Sequence, residues 1–160
     1  MIAKRTIADL EARAVDGKRA LVRVDFNVPV KDGVVGDDTR IRAALPTITA
    51  LKAKGARVVL LSHLGRPKGG GYEEQYSLKP VAKALEKLLG CPVTFIPDAA
   101  AADAVPVTKS LPRGGVALVE NTRFMPGEEK NDGQAAQLFA GLGDFYVNDA
   151  FGSAHRGHSS

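Results

Sequence analysis

Three arginines stand in loops that each follow a short apolar run: Arg66 in "SHLGRP", Arg123 in "ENTRF" and Arg156 in "NDAFGSAHRGHSS". Arg40 opens a helical stretch just behind another such loop, "VDFNVPV", which carries Asp25 and Asn27. A guanidinium is a planar fork of donors that matches phosphate or carboxylate, and several in one pocket repel each other until an anion joins them. His63 adds an imidazole beside Arg66, and Asp25 and Asn27 can take hydrogen bonds from ligand hydroxyls. Gly65 and Gly152 let backbone approach a ligand closely. The chemistry these types support is recognition of a small, hydroxylated anion.

Each residue also has a plainer reading. A lone loop arginine is ordinarily solvated, but three or four at successive strand ends form a pattern. His155 and His158 make H-x-x-H without a third ligand, so a zinc site is not expected. Glu128 and Glu129 read as a solvated face, and Cys91, between a helix-ending glycine and a strand, reads as packing. Neither G-x-x-x-x-G-K-[ST] nor G-x-G-x-x-G occurs, so no nucleotide cradle is visible. Gly69 to Gly71 reads as a flexible loop from which no helix opens.

The elements that must position these groups are legible in outline. Apolar runs at Ala20–Asp25, Arg57–Ser62, Pro92–Ile96, Val116–Val119 and Phe145–Val147 are short and nearly continuous, as in parallel strands buried on both faces. Between them, "DDTRIRAALPTITALKAKG" places Ile41, Leu45, Ile48 and Leu51 on one helical face, with a kink or restart expected at Pro46. In "SLKPVAKALEKLLG", Ser77 is the expected cap, Pro80 fits the first turn and Gly90 ends the helix. A shorter helix is expected in "DGQAAQLFAGLG", opened by Asp132, and one short helix plus a loop between Asp98 and Gly115. The fold class is therefore α/β: a three-layer, mostly parallel, Rossmann-like sheet with helices on both faces. Ligands of such sheets bind outside the strands' carboxyl ends, where these polar loops fall.

Composition narrows the function. The chain has 160 residues, about one domain, with a net charge of +4 from 22 Lys and Arg against 18 Asp and Glu. No basic run and no Trp is present, which argues against nucleic-acid binding. Cys91 is the single cysteine, so no internal disulfide can form; a reducing cytoplasm is expected. The charged amino-terminal stretch has no apolar core of a signal, and no run reaches membrane-spanning length.

"RVDFNVPV", "DDTRIRAALPTI", "SHLGRP", "ENTRF" and "NDAFGSAHRGHSS", in this order, resemble the phosphoglycerate kinase family over Ala20 to Ser160. The likeness is to the amino-terminal half, which binds 3-phosphoglycerate. It implies reversible phosphoryl transfer between 1,3-bisphosphoglycerate and ADP, giving 3-phosphoglycerate and ATP. It implies that Asp25 and Asn27 contact the glycerate hydroxyl and carboxyl end, with Phe26 between them. His63, Arg66, Arg123 and Arg156 would surround the 3-phosphate, with Leu64 and Gly65 lining the same loop. Arg40 would lie near the reacting carboxylate and stabilise the phosphoryl group in transit. By the same resemblance residues 1–160 are the substrate-binding domain, incomplete at its carboxyl end. A second domain would bind Mg-ADP or Mg-ATP, no metal or nucleotide site is expected on this chain, and the whole enzyme would be a cytoplasmic monomer. The chain alone is then expected to be inactive. The alternative is a free-standing anion-binding α/β module without catalysis.

Overall fold

The computed structural model describes residues 15–67, 72–99, 101–124 and 133–148. Five parallel strands form the main sheet: β1 (Arg19–Arg23), β4 (Arg57–Leu61), β5 (Val93–Ile96), β6 (Val116–Val119) and β7 (Phe145–Asn148). Their spatial order is β5-β6-β4-β1-β7. The connecting helices are α1 (Thr39–Ala53), α2 (Lys79–Leu89), α3 (Ala104–Lys109) and α4 (Gly133–Ala140).

Alternation along each strand divides the core in two. Ala20, Val22, Val58, Leu60, Val116 and Leu118 pack with Ile41, Ile48 and Leu51 of α1 and Val81 and Leu85 of α2. Leu21, Val59, Leu61, Ala117 and Val119 pack on the opposite face with Ala104 of α3, Phe139 of α4 and Leu142. The expected three layers follow from this period of two, which sends successive side chains to opposite faces. The path is doubly wound. The chain steps from β1 to β4 to β5 with α1 and α2 on one face, then returns through β6 to β7 with α3 and α4 on the other. A single crossover hand requires that change of face when the direction reverses. The turning point leaves β4 and β6 as neighbours whose following loops leave toward opposite faces. That divergence opens a crevice at their carboxyl ends.

Three local details differ from expectation. A two-stranded hairpin, β2 (Val30–Lys31) with β3 (Val34–Val35), fills the segment before α1. Its turn places Asp32 at φ 54° and Gly33 at φ 75°, the left-handed pair of a tight hairpin turn. Second, α1 does not restart at Pro46 but continues through it as one helix. Proline removes one backbone donor there, and the Thr49 hydroxyl donates to the Leu45 carbonyl one turn back. Third, Leu78 rather than Ser77 caps α2. Ser77 Oγ still accepts from the Lys79 N–H at 3.2 Å, in the first turn. The expected opening of α4 by Asp132 lies outside the described residues. No helix among the described residues is long and apolar enough to cross a membrane.

Candidate anion-binding site

The site is built from loops that leave β1, β4 and β6 at one edge of the sheet. After β1, Val24 and Phe26 stay in the core while Asp25 and Asn27 turn to the half-exposed side. The Phe26 N–H donates to Ser62 Oγ at 2.9 Å, which ties the β1 loop to the end of β4. The Asp25 carboxylate accepts from the Asn27 N–H at 3.1 Å, folding the loop back on itself. Arg40, in the first turn of α1, donates from Nη1 to the Asn27 carbonyl at 2.8 Å and lies 3.4 Å from Asp25 Oδ1. Its side chain is 54% exposed, so it can exchange these partners for a ligand.

The three loops meet at Gly65. Its N–H donates to Asn27 Oδ1 at 2.9 Å, and its carbonyl accepts from Arg123 Nη1 at 3.1 Å. Gly65 has φ 63°, and a Cβ there would lie 2.4 Å from the ring of Tyr76, so both conformation and space require glycine. Asn121, buried at the end of β6, donates from Nδ2 to the Leu64 carbonyl at 2.7 Å and the Tyr76 carbonyl at 2.9 Å. Its Oδ1 accepts from the Arg123 N–H at 3.0 Å. The Glu120 carboxylate, also buried, accepts from the Leu78 and Asn121 N–H groups and from the Ser77 hydroxyl. Tyr72 sets its ring edge-on to Phe124, with centroids 5.6 Å apart, a further tie between the β4 and β6 loops.

Positive charge collects at this edge. Arg123 is only 6% exposed and Arg23, the last residue of β1, only 1%. Arg23 Nη1 donates to Thr122 Oγ1 at 3.4 Å, and Nη2 lies 3.2 Å from His63 Nδ1. A guanidinium only donates, so that contact makes Nδ1 the accepting nitrogen of His63. Arg66 is exposed beside them. Asp37, just before α1, is held below the usual carboxylate range by hydrogen bonds from the Thr39 hydroxyl and N–H, with Arg40 nearby. Among the described residues no group of three or more His, Cys, Asp or Glu side chains is placed to hold a metal ion.

A family model described as phosphoglycerate kinase matches residues 7–160. This chain belongs to the phosphoglycerate kinase family. It is 54% identical over 157 residues to the phosphoglycerate kinase of Fervidobacterium nodosum, covering 98% of this chain and 38% of that relative. To the phosphoglycerate kinase of Gloeobacter violaceus it is 55% identical over 160 residues, covering 99% of this chain and 39% of the relative. The solved phosphoglycerate kinase of Coxiella burnetii superposes with a TM-score of 0.83 at 41% identity, over 96% of this chain and 37% of that one. That of Pyrococcus horikoshii OT3 gives 0.79 at 37% identity, over 90% and 36%. The chain thus spans about two-fifths of the length of the phosphoglycerate kinases it matches.

Of the residues expected from sequence, Asp25, Asn27, Arg40, Gly65 and Arg123 form one continuous hydrogen-bonded path. His63 and Arg66 share its edge. The Phe26 and Leu64 side chains are core, so only their backbone faces the loops. Arg156 lies outside the described residues, as do Gly152, His155 and His158. Sequence reasoning left out Arg23, Asn121 and Glu120 as site residues. The signal for Arg23 was a charge inside the otherwise apolar "ALVRVD". Glu120 and Asn121 stand among the polar residues that follow the fourth apolar run, but their bonds to Leu64, Tyr76 and Leu78 span 42 or more residues and carry no sequence signal.

Proposed function

We propose that this chain is the 3-phosphoglycerate-binding half of a phosphoglycerate kinase, acting in reversible phosphoryl transfer between 1,3-bisphosphoglycerate and ADP. The observation that supports this most is the meeting of three loops at Gly65, which draws Asn27 and Arg123 to one crevice beside His63 and Arg66. In a member of this family, that crevice suits an anion with a phosphate at one end and a hydroxylated carboxylate at the other. His63, Arg66, Arg123 and Arg156 take the 3-phosphate. Asp25 and Asn27 take the glycerate hydroxyl and carboxyl end, and the Phe26 and Leu64 contributions come from backbone.

Arg40 stands apart from the phosphate group of residues, on α1 and exposed to solvent. Phosphoryl transfer rests on positioning and on neutralising charge spread over the transferred oxygens. Arg40 supplies that charge by leaving the Asn27 carbonyl for the phosphoryl group. The nucleotide, with its magnesium, is carried by the segment equivalent to the rest of the relatives' length. That second domain is this chain's principal partner, and the complete kinase acts as a monomer in the cytoplasm. Reacting groups must be held in near-attack geometry from both sides, so this half binds without turning over.

The test is a titration of the isotope-labelled chain with 3-phosphoglycerate, with Mg-ADP in parallel, at two salt concentrations. Amide shifts are expected at Asp25–Asn27, His63–Arg66 and Arg123 with 3-phosphoglycerate, weaker at high salt, and none with Mg-ADP. A folded spectrum indifferent to 3-phosphoglycerate would overturn the reading.

A further inference from the structure

We propose that Asn121 is a positioning residue for the phosphate end of this pocket, setting the Leu64–Gly65 turn from which Arg66 projects and against which Arg123 is braced. The inference rests on the 3-phosphoglycerate reading of the site and adds to it a residue that reaches the ligand only through others.

Three successive polar groups of that turn are each held by a different side chain. The Leu64 carbonyl accepts from Asn121, the Gly65 N–H donates to Asn27, and the Gly65 carbonyl accepts from Arg123. Asn121 touches both sides of the crevice with one side chain. Its amide nitrogen binds the β4 loop at Leu64 and the 3-10 turn Glu74–Tyr76 at the Tyr76 carbonyl, while its amide oxygen holds the Arg123 N–H. That oxygen therefore orients the backbone of one phosphate-binding arginine, and the nitrogen fixes the Leu64–Gly65 peptide, one residue before the other. The assignment of oxygen and nitrogen is forced: two carbonyls need a donor, and the Arg123 N–H needs an acceptor.

Glu120 makes Asn121 rigid in turn. One carboxylate oxygen is shared between the Asn121 and Leu78 N–H groups, at 2.8 and 2.7 Å, and the other accepts from Ser77 at 2.6 Å. A buried network with every member satisfied has one arrangement. Aspartate at position 121 would turn an oxygen toward two carbonyls, and serine would be too short to reach them. Either change releases the Leu64–Gly65 turn without removing any group that touches ligand.

The experiment compares Asn121→Asp, Asn121→Ser and Arg66→Ala with the unaltered 160-residue chain. It reads amide hydrogen exchange at Gly65 without ligand and the dissociation constant for 3-phosphoglycerate. Both Asn121 variants should exchange the Gly65 amide faster while core amides such as Leu60 and Leu118 keep their protection. Both should also bind about tenfold more weakly, the loss expected when one hydrogen bond to the charged phosphate is no longer well made. Arg66→Ala should weaken binding with Gly65 exchange unchanged. Normal affinity in a folded Asn121 variant, weaker affinity with normal Gly65 exchange, or failure of both variants to fold would each overturn the inference. An unaltered chain that ignores 3-phosphoglycerate overturns the reading of the pocket instead, and the Gly65 exchange of the variants then reports separately on the turn.

Discussion

Replacing Gly65 by alanine tests the site at its narrowest point. Two costs add. The left-handed backbone at φ 63° is disfavoured for any residue with a Cβ, by roughly 1–2 kcal/mol. The new methyl would also sit 2.4 Å from the Tyr76 ring. The Tyr76 backbone is held through its carbonyl by Asn121 and its N–H by the Glu73 carbonyl, each at 2.9 Å, so the half-buried ring must make room by turning its side chain. Forcing a methyl into such a contact costs about 1–3 kcal/mol. Together the loss is about 2–5 kcal/mol. For a domain of this size, each kcal/mol moves the melting temperature by roughly 2–4 °C. Thermal unfolding followed by circular dichroism should therefore show a fall of roughly 4–20 °C. The double variant Gly65→Ala/Tyr76→Ala removes the clash but not the backbone cost, so a double-mutant cycle should return a favourable coupling of about 1–3 kcal/mol. A Gly65→Ala chain within about 0.5 kcal/mol of the parent, or a cycle with no coupling, would refute the reasoning.

Two further outcomes follow from the same geometry. The Asp144 carboxyl is held below its usual range by hydrogen bonds from the Arg19 side chain and N–H, aided by the Arg19 and Lys18 charges. A depressed folded value means stability that is present above the ordinary carboxylate range and lost as pH falls through the lowered value. Asp144→Asn should therefore narrow its deficit against the parent chain under acid; because Asp144 is 41% exposed, that pH-dependent part stays below about 1 kcal/mol. Urea unfolding at about pH 7 and about pH 2 reads this, and a deficit equal at both would contradict it. In a complete kinase carrying this segment, Arg40→Ala should lower kcat on the order of 10³-fold while changing KM for 3-phosphoglycerate far less; steady-state kinetics with equal losses in both would remove its role in the transfer step.

The sheet was legible because its strands are apolar on both faces, so "RVVLLS" and "VALV" stand out as runs. Their polar followers pointed to one edge because parallel strands end together. The β2–β3 hairpin escaped notice because two-residue strands are too short to show alternation, although Asp32-Gly33 was a turn signal in plain view. Pro46 suggested a kink or a restart, and the helix does not restart: Ile41, Ile48 and Leu51 bury one continuous stripe on both sides of it. Arg23 was hidden by its neighbours, since a periodicity argument treats one charge in an apolar run as noise. Asn121 and Glu120 were legible as polar residues at a strand end, but not their work, which is defined by carbonyls and amides at Leu64, Tyr76 and Leu78 that only the fold brings near.

The position of β1 governs the order in which this chain can assemble. Among the described residues it is the earliest strand of the sheet in sequence, yet it lies inside the sheet, between β4 and β7. Its pairing with β7 joins Ala20 to Phe145 and Arg23 to Asn148, and Arg19 bonds Asp144 across a separation of 125 residues. Closing so long a loop is entropically costly and slow, and topologies rich in such contacts fold late and cooperatively. During synthesis, therefore, β1 and β4 can pair early, but one flank of β1 stays open until Phe145 has left the ribosome. The edge that carries Arg23 is completed in that last step. A nascent chain arrested before residue 145 exposes an unpaired, apolar strand border, the kind of surface on which chains associate wrongly.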